Sequence, residues 1–178
     1  MHDEIFNLIK SEYNNYYNSF LRKGRLPMRT TEKGFWSASH SDEVYGLFKR
    51  INLSRFNNFL DLGSGDGKVA LVAGLFCKNS EGVEIDTHLH FKALEMKRKF
   101  NAGNVHFHKK DFLTHDLRSY DIIFLSPDSP LERGVEKKLL NELNGKLLVF
   151  GNHFHPKILR RETSFFAGNN LASFYSRP

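Results

Sequence analysis

The sequence predicts an α/β fold: a seven-stranded, mostly parallel sheet with helices on both faces, preceded by an N-terminal helical extension. Three observations carry this. Short apolar runs alternate with helical-period segments from Phe56 onward. A glycine-rich turn, Gly63 to Gly67, joins the first apolar run to a helix start, and two closing apolar runs lie too near each other for a helical crossover. With 178 residues the chain suits one domain with a sizeable core.

The elements follow in order. Residues 3–22 read as an amphipathic helix, because Ile5, Phe6, Ile9, Tyr13, Tyr16, Tyr17 and Phe20 recur at helical spacing. Residues 24–34 read as a connector, so that 1–34 form an extension and 35–178 a single domain. A second helix is expected from Asp42 to Ile51, capped by Ser39 or Ser41 and carrying Asp42 and Glu43 at its positive end. Strands are expected at 56–62, in the run ending at 82–86, at 105–108, 120–125 and 146–150, and near 164–166 and 171–175. Helices fall near 67–77, 87–101 and 131–143. The last two strands form an antiparallel pair at one edge.

The run Asp61-Leu62-Gly63-Ser64-Gly65-Asp66-Gly67-Lys68 admits three ligands. A phosphate loop needs a Ser or Thr after Gly-Lys, whereas Val69 stands there, and Leu62 occupies the place of its first glycine. A dinucleotide fingerprint needs its third glycine at position 68, which is Lys68. Asp61 and Asp66 would also repel a pyrophosphate. A cationic ligand without phosphate fits instead: S-adenosylmethionine carries a sulfonium and an ammonium, and acidic side chains attract both.

These residues resemble the first motif of class I, seven-β-strand S-adenosylmethionine-dependent methyltransferases, which have a Rossmann-like fold. Further matches follow in that family's order: Gly82-Val83-Glu84-Ile85-Asp86, then Lys109-Lys110-Asp111-Phe112, then the strand Tyr120 to Leu125 with Ser126-Pro127-Asp128 at its exit. The resemblance implies S-adenosyl-L-methionine as cofactor, held by Asp61, Gly63, Ser64, Gly65, Asp66, Gly67, Glu84, Ile85, Asp111 and Phe112. Glu84 would accept from the ribose hydroxyls, and Asp111 from the adenine amino group. No metal site is expected.

Methyl transfer is a direct displacement, so no covalent enzyme intermediate and no catalytic triad are required. Candidate catalytic residues lie at the exits of the fourth and fifth strands: Ser126 and Asp128, and His153, with Ser129, Asn152 and His155 nearby. Similar enzymes that methylate the exocyclic amines of bases carry an Asn or Asp, two prolines and an aromatic at 126–129. Here Asp128 replaces the second proline and Ser129 the aromatic, which counts against a base.

A narrower resemblance runs through Phe35-Trp36-Ser37-Ala38-Ser39 and 131–143 to small archaeal-type protein-lysine methyltransferases. It implies a protein lysine as acceptor. RNA, DNA or a small molecule is the alternative, and so is a catalytically silent cofactor-binding subunit. A nicotinamide-linked oxidoreductase is disfavoured by the glycine spacing. Trp36 is expected at the acceptor entrance, and Phe35 as a hydrophobic staple on the sheet.

The net charge of +6 and the pI near 9.4 permit an acidic partner without requiring one. The basic groups are scattered, and Arg22 to Arg29 is the one segment read as able to contact nucleic acid. Cys77 is the single cysteine, which excludes an internal disulfide and reads as a buried thiol. The sequence shows no long apolar span and no signal-peptide pattern at its start, so a cytoplasmic protein with no membrane partner is expected. Oligomeric state is not fixed by any of these features.

Overall fold

The computed structural model describes residues 2–132 and 134–178. Helix α1 (His2–Leu21) is followed by a short hairpin, β1 (Met28–Thr30) and β2 (Phe35–Ser37), and then by α2 (Ser41–Arg50). The alternating core comprises β3 (Asn58–Leu62), α3 (Lys68–Ala73), β4 (Asn79–Glu84), α4 (Thr87–Lys99), β5 (Val105–Lys109) and β6 (Ile122–Leu125). It ends with α5 (Val135–Glu142), β7 (Lys146–Phe150), β8 (Arg160–Ala167) and β9 (Asn170–Ser176).

The large sheet has seven strands in the order β5-β4-β3-β6-β7-β9-β8. Strands β5, β4, β3, β6 and β7 pair in parallel, while β9 is antiparallel to both β7 and β8. The expected sheet and its antiparallel edge are therefore present. The order reverses beside β3, where the chain goes to β4 on one side and β6 on the other. Such a switch point opens a crevice at the carboxyl ends of the strands, and the glycine turn lies there.

One core cluster joins α1, α2 and α3 to one face of the sheet through Tyr13, Phe48, Phe59 and Phe124. A second, on the opposite face, gathers Leu60, Ile123, Leu139 and Leu147. Neighbouring residues of β3, Phe59 and Leu60, thus point to opposite clusters, as strand alternation demands. Helix α1 belongs to the first cluster through Phe6, Ile9 and Tyr13, so the extension and the domain share one core.

Several boundaries differ from expectation for identifiable reasons. Residues 24–34 contain β1 and the turn of a hairpin rather than a plain connector; Thr31 N–H and Oγ1 both donate to the Gly34 carbonyl. Helix α2 begins after His40, and no side chain caps it, so neither Ser39 nor Ser41 takes that role. Helix α3 stops at Ala73, where tighter turns take over (Leu75 N–H to Val72 O, 3.2 Å; Phe76 N–H to Ala73 O, 2.9 Å), and the Asn104 amide satisfies the carbonyls of Gly74 (2.9 Å) and Cys77 (3.1 Å). Helix α5 starts late, after Gly134 at φ +91°, a conformation that suits glycine. Strand β8 extends to Arg160 through charged residues that are exposed on an edge, where charge is tolerated. Cys77 is buried, and burial pushes its thiol up to about 12.

Candidate cofactor and acceptor cleft

The glycine turn owes its path to residues that could not be larger. Gly63, Gly65 and Gly67 have φ of +76°, +55° and +83°. A Cβ on Gly67 would stand 2.6 Å from both Ala93 Cβ and Phe107 Cζ, so the turn lies directly on α4 and β5. A Cβ on Gly82 would stand 2.7 Å from Ser64 Cβ; the missing side chain lets the turn settle over β4.

Glu84, at the end of β4, clasps this turn. Gly65 N–H donates to Glu84 Oε2 (2.8 Å) and Asp86 N–H to Oε1 (2.7 Å). A carboxylate offers about four lone-pair sites, so the side chain retains acceptor capacity toward the cleft it lines. Asp86 caps α4 by accepting from Leu89 N–H at 3.0 Å.

Asp61 is 3% exposed, and none of the described residues donates to its carboxylate. Burial pushes its carboxyl well above the usual range, and the neighbouring charges of Glu84 and Asp66 add to this. Burial also raises Glu84, against the backbone donors that hold it. Ser64 Oγ is buried without a partner. Buried carboxyls at Asp61 and Glu84, beside the unpartnered Ser64 hydroxyl, suit a ligand that brings positive charge and hydrogen-bonding groups of its own.

Asp66 is tied to the N-terminal helix. Tyr17 Oη donates to Asp66 Oδ2 (2.6 Å), and Tyr13 Oη donates to the Asp66 carbonyl (2.8 Å). Lys68, 2% exposed, donates from Nζ to the Ser39 carbonyl, with its ammonium 4.7 Å from the Tyr17 ring centre. Burial lowers the Lys68 ammonium to about 8, opposed by the charge of Asp66. Burial raises Asp66, opposed by Lys68 and by the Tyr17 hydroxyl. Sequence reasoning placed Tyr13 and Tyr17 only on an apolar face; their hydroxyls are what join α1 to the turn. Tyr17→Phe is expected to lower stability by about 1.5–3 kcal/mol, the worth of a hydrogen bond to a charged group, which chemical denaturation measures.

The cleft has a volume of about 1110 Å³ and collects most of the sequence-predicted residues. Asp61, Gly63, Ser64, Asp66, Glu84, Ile85, Asp111 and Phe112 line it on the β3–β5 side, and Ser126 and Asp128 on the β6 side. Gly65 and Gly67 shape the turn from beneath. Asp111 caps a one-turn 3-10 helix by accepting from Leu113 N–H (3.0 Å) and is ion-paired with Lys33. Burial acts to raise the Asp111 carboxyl, but Lys33 and the Leu113 N–H together hold it below the usual range.

His153 is not brought to this cleft. It is exposed beside Phe154, and its loop folds back on the β8–β9 turn, where Asn152 bonds Asn169 O (3.0 Å) and Leu171 N–H (2.8 Å). His155 bonds the Tyr175 hydroxyl at 2.9 Å. Phe35 is 47% exposed and does not pack on the sheet, because the hairpin turns that side outward. Trp36 faces inward; a Cβ on Gly65 would stand 2.4 Å from its Cδ1. Among the described residues no cluster of His, Cys, Asp and Glu could hold a metal ion.

The seven-stranded order, the glycine turn at the switch point and the acidic pocket define a class I S-adenosylmethionine-dependent methyltransferase. The family described as histone methylation protein DOT1 matches residues 36–129, just over half of the sequence, and the chain belongs to that family. Solved structures share the fold. An RNA methyltransferase from Salinibacter ruber, in complex with S-adenosyl-L-homocysteine, is 19% identical over 79% of this chain and 94% of its own, with a TM-score of 0.64. The putative methyltransferase yhhF from Escherichia coli is 19% identical over 74% and 81%, with a TM-score of 0.57. A tRNA (uracil-54, C5)-methyltransferase from Pyrococcus abyssi is 14% identical over 84% of this chain and 44% of its own, with a TM-score of 0.63. No curated protein matches the chain. No described helix is long and apolar enough to cross a membrane.

Proposed function

We propose that the protein methylates lysine side chains of a protein substrate, acting in the cytoplasm. The observation that carries this is membership of a family described by histone methylation. The β6 exit supports it: Ser126-Pro127-Asp128-Ser129 lacks the second proline and the aromatic with which similar enzymes hold a base. Asp128 and Glu132 line the cleft on that side and favour a cationic side chain over a phosphodiester.

Bound S-adenosylmethionine supplies an electrophilic methyl group on a sulfonium. The chain's own part is to hold, orient and exclude water. Asp61 compensates the cofactor's positive charge, Glu84 accepts from its ribose hydroxyls, and Asp111 accepts from the adenine amino group, with Ile85 and Phe112 against the base. The acceptor approaches past Ser126 and Asp128. Lysine nitrogen is nucleophilic only as the neutral amine, so its proton passes to water at the mouth, where Ser126 and Asp128 are exposed. Asp128 also accepts from Phe35 N–H, so this carboxylate positions the hairpin as well as drawing the substrate.

Labelled cofactor incubated with protein and RNA fractions of a lysate tests the acceptor. The expected result is label in protein that survives nuclease treatment and maps to lysine. Label confined to RNA or small molecules overturns the reading.

A further inference from the structure

The hairpin β1–β2 crosses the carboxyl ends of three strands and is fastened to the loop after each. Arg29 Nη2 lies 3.6 Å from Asp86 Oδ2 after β4, Lys33 pairs with Asp111 after β5, and Phe35 N–H donates to Asp128 Oδ2 after β6. The outer two fastenings are compatible with a filled cleft, because neither uses an atom assigned above to the cofactor. The middle one is not: the Lys33 ammonium occupies Asp111 Oδ2.

We propose that Lys33 competes with the adenine amino group for Asp111, so that cofactor binding must release the centre of the hairpin while its ends stay fastened. Lys33 is thereby a residue that sets cofactor affinity and is not part of the chemistry. The inference rests on Asp111 being the adenine partner. An Asp carboxylate has two oxygens, and here Oδ1 accepts from Leu113 N–H while Oδ2 accepts from Lys33. Each oxygen keeps a further lone pair, as at Glu84, but an amino group approaching Oδ2 meets the Lys33 ammonium already seated there, donor against donor; of the two contacts the Lys33 one can yield, since the Leu113 contact is part of the local 3-10 turn. The Lys33 side chain is 53% exposed, so it can move into solvent without disturbing a packed core. Gly34, next to it, has no room for a side chain because a Cβ would stand 2.6 Å from Asp128 Oδ2; the tip is close-fitted to the β6 loop and directs Lys33 across the cleft.

The test is equilibrium binding of S-adenosylhomocysteine to the full chain, read by calorimetry and by the fluorescence of Trp36, the single tryptophan, which lies on the same hairpin. Lys33→Met is expected to tighten binding by up to about fivefold, the size of a partly exposed ion pair. Raising salt should tighten wild-type binding by screening the pair, and Lys33→Met should lose that dependence. Lys33→Arg should keep both the weaker affinity and the salt dependence. Unchanged or weaker binding in Lys33→Met overturns the competition. Asp111→Asn separates the two layers: weaker binding in Asp111→Asn with no gain in Lys33→Met rejects Lys33 alone. Binding unaffected by Asp111→Asn rejects the adenine assignment and the competition built on it.

Discussion

Asp61→Asn is expected to make the cofactor-free protein more stable while nearly abolishing cofactor binding. The side chain is buried, receives no hydrogen bond from the described residues, and shares its pocket with Glu84 and Asp66. Asparagine removes the cost of ionising a buried carboxyl beside Glu84 and Asp66, which should add on the order of 1–3 kcal/mol at neutral pH. For a domain of this size that raises Tm by roughly 2–12 °C. The same change removes the charge that meets the cofactor's cationic end, at a cost of about 2–4 kcal/mol, or roughly 30- to 1000-fold in Kd. Paired thermal melts and titrations check both halves. An asparagine variant that melts lower and binds normally would show that Asp61 is structural.

The pH dependence has a definite sign. A carboxyl whose folded pKa is raised favours the folded state only while protonated: its contribution is full below the unfolded value of about 3.9 and is lost as pH rises through the folded value. Asp61 and Glu84 are both raised. The cofactor-free protein should therefore gain stability from these two groups on mild acidification, from neutrality down to the ordinary carboxylate range. Cofactor affinity should fall over the same interval, because the ligand needs the ionised form. Asp61→Asn should flatten both profiles.

The second large effect is at Gly65. Its φ of +55° is costly for any residue with a Cβ, and a β-branched one is a genuine outlier there. A Cβ would also stand 2.4 Å from the Trp36 indole. Gly65→Val is expected to cost about 2–3 kcal/mol of stability through strain, which a domain with about 5–15 kcal/mol in hand survives. Trp36 sits on a two-stranded hairpin and can be pushed away; the Glu84 clasp on Gly65 N–H cannot adjust as easily. Cofactor binding should fall more than about 100-fold, an affinity loss near 2.7 kcal/mol. Gly67→Val is the contrast. There the colliding atoms belong to Ala93 and Phe107, which the fold cannot displace, and loss of the folded protein is expected. Circular dichroism beside calorimetry separates the two. If Gly65→Val binds normally, the turn does not form the cofactor cradle.

Much of this was legible in the sequence because local chemistry and global fold agreed. The strand at β3 leads into glycines that only a tight turn requires, and Glu84 and Asp111 fall at the carboxyl ends of the next two strands. The hairpin was not legible: strands of three residues give no alternation, and what holds them lies on loops after β4, β5 and β6. Likewise the buried Lys68 could be read only as part of a loop string, since its partners, Ser39 and the tyrosines of α1, are remote in sequence. His153 followed from counting residues past a strand; the direction of its loop is set by Asn152 and the β8–β9 turn. Strand β8 was seen only at its apolar end because Arg160, Arg161 and Glu162 conceal the rest.

Helix α1 leaves the ribosome before every element that it packs against. Tyr13 meets a carbonyl 53 positions later, and Glu12 meets Lys99 at a separation of 87. At roughly 5–20 residues per second of synthesis, the latter interval is about 4–17 s. Until Tyr45, β3 and α3 emerge, Phe6, Ile9 and Tyr13 form a nascent amphipathic segment with nothing to cover it, a natural client for a chaperone stationed at the exit tunnel.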